Sequence, residues 1–445
     1  MRVPLLKAMS MRARARAHGV LNESRLLSEV VGRAVLLRAG FRSRSDARRL
    51  NDTLIACRRL ASPSSRQRLK RAVAPWVEPQ RAEEWRQARI GWDRYYREFD
   101  LAKPELHTSL LLKAPGPGGE KGVLYVSFEY NIMRLIAHHD ARRLLEEYLV
   151  VAASSWSPTD YGVFANYAGL SDDPLFAGIS NPADMESYRV MGPAVEPVPL
   201  MASDWIDPRF YTPKPRAERE IDILMVANFT RFKRHWLLFR ALKHMRPDLR
   251  VTLIGIPSPD RSADTLRAEA RAFGAPQDLE ILSNANIDVV TANQCNARTS
   301  IILSKREGSC VATAECLFAN TPMGLMRDAH VGSKAYINER TGVLLSERNL
   351  ARELSAFLEA SDTFQPRAWA MEHITCHRSS ERLNAQLRDH SLGRGRPWTR
   401  DIAPLCWRYV PSYVSADDER RLAPALEDLA QRHGVRLKKW VYRPH

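Results

Sequence analysis

Glu307-Gly308-Ser309-Cys310-Val311-Ala312-Thr313-Ala314-Glu315, set between Ser300-Ile301-Ile302-Leu303-Ser304 and Asn320-Thr321-Pro322, decides the reading of this chain. The apolar run predicts a buried parallel strand, Glu307-Gly308-Ser309 a turn, and Cys310 to Asn320 a helix closed by the Asn-Thr-Pro sequence. Glu307 then stands at the carboxyl end of a strand, where open α/β sheets bind ligands. Eight positions at 3.6 residues per turn bring Glu315 back to about 80° from Glu307, on nearly the same side. Between them, the unpaired N–H groups of the first helical turn make an anion site above Gly308, suited to a diphosphate. One acid can hold a sugar, the amides a phosphate and the second acid a ribose.

The rest of the chain frames this stretch. Its 445 residues call for two domains plus extensions, and 44% apolar content supplies real cores. No run of about 18 apolar residues occurs, so no bilayer-spanning segment is expected. The basic start, Met1 to Arg16, has no apolar stretch of the kind a cleaved secretory signal carries. Six cysteines, without Cys-x-x-Cys or zinc spacing, are expected as reduced thiols in a cytoplasmic protein. The net charge is +16, and between Arg2 and Arg49 twelve basic residues face only Glu23, Glu29 and Asp46. Such a front end suits peripheral contact with an anionic membrane on its inner face. A nucleic-acid partner is not expected, since no RNP, KH or zinc-knuckle pattern accompanies the charge. From Arg25 to Arg38, Leu26, Leu27, Val30, Val31 and Val35 fall on one side of a helix, and packing on the protein itself is the default for that stripe.

Residues 1–98 are expected as a helical basic extension. From residue 99 strands and helices alternate: strands at 109–113, 122–128, 148–152, 175–179 and 195–200, with a helix over 132–147. Ala202 to Pro215, with three prolines, is expected as an interdomain linker. A second alternation begins at Ile221, with strands at 223–227, 250–255, 279–282, 299–304 and 322–325. The fold class is therefore α/β, with two Rossmann-like domains at 99–215 and 216–360 facing a cleft, and a helical tail at 361–445. The tail is expected to pack back on the first domain, with its aromatics Trp407, Tyr409, Tyr413 and Trp440.

The second domain resembles the donor domain of retaining GT-B glycosyltransferases of the family 4 type (glycosyl transferases group 1). Glu307 through Glu315 and Asn320-Thr321-Pro322 match that family's Glu-Gly-Phe-Gly…Glu…Gly-x-Pro block without a gap. Val226-Ala227-Asn228-Phe229-Thr230-Arg231-Phe232-Lys233 stands where the family carries Val-Gly-Arg-Leu and a basic Lys-Gly; Gly332, Thr341-Gly342-Val343-Leu344-Leu345 and Ile206 to Phe210 match further pieces. The resemblance covers roughly 198–357. It implies that Glu307 holds donor-sugar hydroxyls, that Glu315 holds the nucleotide ribose, and that the amides of Ser309, Cys310 and Val311 beside Gly308 hold the distal phosphate. Lys233 is the cation for the diphosphate leaving group. Asn228 takes the place of the family's arginine, so either Arg231 supplies a substitute guanidinium from three residues on or Asn228 itself binds the donor by hydrogen-bonding a phosphate, less strongly. On the acceptor side the candidates are Gly118 and Gly119 of the Pro115–Gly119 loop, Glu129 directly after a strand, and His138 on the following helix.

The function these readings imply is a metal-independent, hexosyltransferase-type glycosyltransferase of polysaccharide biosynthesis. It would move a sugar from a UDP- or GDP-linked donor to a glycan or lipid-linked acceptor with retention; no further cofactor is expected. The alternative is a degenerate GT-B protein that binds a sugar nucleotide or a protein partner without turnover.

Overall fold

The computed structural model of the protein describes residues 9–11, 13, 25–42, 45–59, 63–76 and 78–438. Most of the basic stretch before Arg25, and Trp440 in the tail, lie outside them. Five helices come first: α1 (Arg25–Arg42), α2 (Asp46–Arg59), α3 (Pro63–Val73), α4 (Pro79–Ala88) and α5 (Trp92–Glu98). A five-stranded sheet follows, β1 (Leu110–Lys113), β2 (Gly122–Ser127), β3 (Tyr148–Ala153), β4 (Leu175–Gly178) and β5 (Val195–Val198), in spatial order β1-β2-β3-β4-β5. β1 runs antiparallel to β2, with Leu110 opposite Tyr125, and the others are parallel. Every side chain of β2 and β3 is buried, as strands covered on both faces require.

The helix expected over 132–147 is two helices, α6 (Glu129–His138) and α7 (Ala141–Glu147). Asp140 divides them: its Oδ1 accepts the Arg143 amide at 3.1 Å, so it caps a new helix rather than continuing the old one. α8 (Tyr161–Tyr167) and α9 (Met185–Arg189) complete the crossovers of this sheet.

The second sheet has six parallel strands: β6 (Ile221–Val226), β7 (Val251–Gly255), β8 (Leu279–Ser283), β9 (Ala297–Ile302), β10 (Met323–Met326) and β11 (Gly342–Leu345). Their order is β11-β10-β9-β6-β7-β8, so the chain starts in the middle, builds outward through β7 and β8, then returns to β9 on the other side. This is a doubly wound sheet, and its order reverses between β6 and β9. Its helices are α10 (His235–Leu242), α11 (Ala263–Phe273), α12 (Ile287–Asn296), α13 (Val311–Phe318), α14 (Leu350–Glu359) and α15 (Pro366–His373). Buried Arg219 ties this unit together: its guanidinium donates to the carbonyls of Ala297 (2.6 Å), Asn320 (3.0 Å) and Ala319 (3.2 Å).

The chain closes with α16 (Cys376–Gly393), the hairpin β12 (Leu405–Arg408) and β13 (Val410–Tyr413), and α17 (Ala416–His433). Residues 206–375 form one compact unit, and residues 28–205 with 376–438 belong to the other. The division falls between Trp205 and Ile206, inside the proline-rich stretch, but both of these residues are buried rather than strung out as a loose tether. In the larger unit Leu383 and Leu387 of α16 join Tyr125, Val151, Phe176 and Val198 in one core, with Trp398, Trp407 and Tyr413 packed against it. Buried Asp173 fastens the returning segment, accepting from Lys121 and His390 at 2.8 Å each and from Arg396. The apolar stripe expected to pack on the protein does so only in part: Leu27 and Val35 are half-buried, Val30 and Val31 are exposed, and among the described residues of α1 the fully buried position is Gly32.

Gly342 shows how tightly the second sheet closes. Its φ is +156°, and a Cβ placed there would lie 1.9 Å from the Met323 carbonyl oxygen, backbone against backbone. Gly342→Ala is expected to destabilise this unit by about 3 kcal/mol or more, read as a lowered midpoint in urea unfolding.

Candidate functional site

The reversal of strand order puts two loops side by side, the one after β6 and the one after β9. The first is pinned by the Ala227 amide on Ile254 O (2.8 Å) and the Phe229 amide on Ile256 O (2.9 Å). This approach needs Gly255, because a Cβ there would stand 2.1 Å from the Ala227 oxygen. A 3-10 turn, Arg231–Lys233, follows, and Arg234 then opens α10 with φ at +60°. Arg234 is almost wholly buried and donates to Leu303 O at 3.2 Å and to Glu347, so it fastens the first loop to the end of β9.

The second loop is braced from 330–333. The Glu307 amide donates to His330 O (3.1 Å), Gly332 N to Gly308 O (2.8 Å) and Ser333 N to Ser309 O (3.1 Å), while Ser333 Oγ donates to Thr313 Oγ1 (3.0 Å). Thus held, the loops bring Lys233 Nζ to 2.6 Å from Glu307 Oε2, with the two side chains only 12% and 7% exposed. Burial pulls the Lys233 ammonium down, but Glu307 and Cys310 together push it up more, so the net shift is upward and the lysine stays charged. The other carboxylate oxygen, Glu307 Oε1, is buried and has no hydrogen-bond partner among the described residues. A buried acceptor of this kind is costly unless a donor meets it, and a sugar hydroxyl is such a donor.

Beyond Glu307 the chain enters α13 through Cys310, whose φ of +55° is left-handed. The resembled family carries glycine at this point, and the backbone conformation accounts for it. The amides of Ser309 and Cys310 meet no acceptor among the described residues. Val311 opens the helix, where N–H groups lack intrahelical partners. These donors and the helix dipole favour an anion there. The Cys310 thiol, half-exposed yet ringed by protein atoms, is pushed up to about 12 by burial and by Glu307, so it is protonated rather than a nucleophile. Glu315 is buried on α13, where Gln294 Nε2 donates to its Oε2 at 2.9 Å; burial raises its carboxyl.

Arg231 pairs with Asp260 in this structure rather than with Glu307. Its guanidinium lies on Asp260 (Nε to Oδ2 3.0 Å), away from the Lys233–Glu307 pair, because the intervening turn directs the two cations apart. Asn228 is exposed at the carboxyl end of β6. Lys233 is thus the cation that meets Glu307. Among the described residues, none of these side chains belongs to a grouping of three or more potential metal ligands.

The acceptor-side candidates lie in the other unit, and its own geometry separates them. Gly118 and Gly119 occupy an exposed turn before β2, at the opposite end of that strand from Glu129. A six-residue strand spans about 20 Å, so the turn and Glu129 do not share one site. His138 ends α6, nine residues beyond Glu129, where its Nε2 pairs with Leu101 O at 2.6 Å. Glu129 alone sits at the carboxyl edge, buried, accepting from Ser155 Oγ (2.6 Å) and Thr159 Oγ1 (3.3 Å). Arg234 and the 330–333 brace were not expected from sequence. The positive φ of Arg234 has no sequence signature, and of the brace the sequence marked only Gly332, not the contacts it makes some twenty positions away.

No family model matches the chain, and no curated protein matches it. Solved structures do resemble it. Sucrose-phosphate synthase from Thermosynechococcus elongatus is 13% identical with a TM-score of 0.48, covering 75% of this chain and 82% of that one. Anabaena HepE in complex with UDP-glucose is 12% identical with a TM-score of 0.47, covering 60% and 78%. The lipopolysaccharide outer core galactosyltransferase WaaB is 13% identical with a TM-score of 0.43, covering 59% and 72%. Likeness at this level assigns no substrate.

His235, next to Lys233, supplies a pH test of this region. It is buried and stacks edge-on to Phe229; burial, then Arg261 and Lys233, push its pKa down to about 3, the nearby Ala227 carbonyl opposing slightly. The unfolded chain binds a proton near pH 6.5 and the folded one only near 3, so stability falls as pH drops through that window. From pH 6.5 to 5 this residue is expected to cost about 2 kcal/mol, and His235→Phe to flatten that part of the stability–pH curve.

Proposed function

We propose that the protein is a glycosyltransferase that takes a sugar from a nucleoside diphosphate sugar, UDP- or GDP-linked, and passes it to a glycan or lipid-linked acceptor with retention. The observation that carries this reading is the buried Lys233–Glu307 pair at the strand-order reversal, with Glu307 Oε1 unpaired and the free amides of Ser309 and Cys310 beside it. Lys233 and those amides suit a diphosphate, Glu307 suits sugar hydroxyls, and Glu315 is assigned to the ribose. In the reaction, the bond from the anomeric carbon to the phosphate oxygen breaks and its electron pair stays on the phosphate. Lys233 and the amides stabilise that growing charge, which is how such donors lower a barrier. The acceptor hydroxyl oxygen bonds to the anomeric carbon and gives its proton to the departing phosphate. Glu307 aligns the sugar for this exchange.

A second reading, sugar-nucleotide binding without turnover, is favoured by one observation. Arg231 is paired with Asp260 and Asn228 replaces the family's arginine, which leaves Lys233 as the cation assigned to the phosphates.

Both readings are tested by thermal unfolding with UDP, GDP and their sugar conjugates, followed by turnover assays. A nucleotide at a hundredfold its dissociation constant should stabilise the protein by about 2.7 kcal/mol. Lys233→Met should weaken that nucleotide roughly 10- to 100-fold through the lost charge-assisted bond. Glu307→Gln should leave the bare nucleotide within a few-fold while lowering turnover by about 100-fold or more. No stabilisation by any nucleotide overturns both readings; binding without transfer selects the second.

A further inference from the structure

Of the ten large apolar side chains exposed among the described residues, four lie on α1: Val30 (56% exposed), Val31, Leu37 (62%) and Phe41 (87%). Val30, Ala34, Leu37 and Phe41 follow the spacing i, i+4, i+7, i+11, which places them within about 60° of one another on the helix. Ala34 is exposed as well, and Gly32, the buried position, lies on the opposite side. α1 therefore turns its glycine inward and a continuous apolar stripe outward. A contiguous patch of this sort marks an interaction surface rather than ordinary surface scatter.

The charges on and around the helix select what covers it. Arg33 and Arg38 are exposed on the two margins of the stripe, Arg33 sharing its guanidinium with Glu29 at 3.0 Å. In sequence, Arg2 to Arg49 hold twelve basic residues against three acidic ones. A second copy of this chain would bring the same positive charge against itself, whereas an anionic lipid surface complements it. The helix does not cross a bilayer: it carries Glu29, Arg33 and Arg38 within its 18 residues, and no helix of the described residues is long and apolar enough to span one.

We infer that α1 lies in the plane of an anionic bilayer surface, with Val30, Leu37 and Phe41 among the acyl chains and Arg33 and Arg38 at the phosphates. An amphipathic helix binds this way through buried apolar area together with attraction to acidic headgroups.

The test is co-sedimentation of the full chain with phosphatidylcholine vesicles and with vesicles containing one third phosphatidylglycerol, in low and in physiological salt. Binding is expected to the anionic vesicles only and to weaken with salt. Leu37→Asp/Phe41→Asp should lower the partition constant roughly tenfold or more, and Arg33→Gln/Arg38→Gln roughly tenfold. Because these side chains are exposed, the melting temperature should stay unchanged, which separates lost docking from lost folding. The inference is overturned if anionic vesicles fail to bind the protein in low salt, or if the Leu37/Phe41 variant binds them as well as the parent. It is also overturned, in favour of self-association, if the chain is a dimer that this variant converts to monomer while vesicles stay unbound.

Discussion

The central strand of the second unit, Ile221–Val226, pairs with Ala297–Ile302 on one edge and Val251–Gly255 on the other, and the site follows from that constraint. Because the strand order reverses between this strand and Ala297–Ile302, its outgoing loop lies over that reversal. The loop after Ile302 arrives at the same point from the other side. Lys233 and Glu307, 74 residues apart in sequence, become partners because the two loops have no other place to meet. Arg234 on one side and the 330–333 brace on the other remove the remaining freedom. The ion pair is therefore held from outside rather than by its own strength. A buried pair of this kind repays its desolvation only when its geometry is imposed by such surroundings.

The same arrangement accounts for the division of labour among the charged side chains. Lys233, Arg231 and Arg234 lie within four residues, yet they go to three different partners: Glu307, Asp260 and Glu347. The 3-10 turn and the left-handed Arg234 set three directions in so short a stretch. Arg234 faces inward to the scaffold, Arg231 lies at the surface on Asp260, and Lys233 meets Glu307. His235, neutral and packed on Phe229, completes the wall behind the lysine without adding a charge.

Much of this was legible in the sequence. The apolar runs located all five strands of the first sheet and five of the six of the second to within a residue or two, because buried strands carry mostly apolar segments; Gly342–Leu345 was marked only by the family resemblance. Glu307, Gly308 and the start of α13 were legible because strand, turn and helix N-terminus each leave a local mark. What escaped depends on dihedral angles and distant contacts. The choice among Arg231, Lys233 and Arg234 rests on a 3-10 turn and the positive φ that ends it, which side-chain chemistry does not announce. The break at Asp140 was legible in principle as a helix cap, but the apolar spacing on either side masked it. In the larger unit, a glycine-rich turn and a strand-end glutamate looked alike in sequence, and only strand direction separates them.

Hydrogen–deuterium exchange with and without saturating UDP or GDP tests the central claim most directly, because it reports where a nucleotide sits without assuming its sugar or acceptor. The account predicts slowed exchange concentrated at the amides of 228–235 and 307–313, where the two loops meet. Slowed exchange only elsewhere, or none in these segments when a nucleotide is bound, would contradict it.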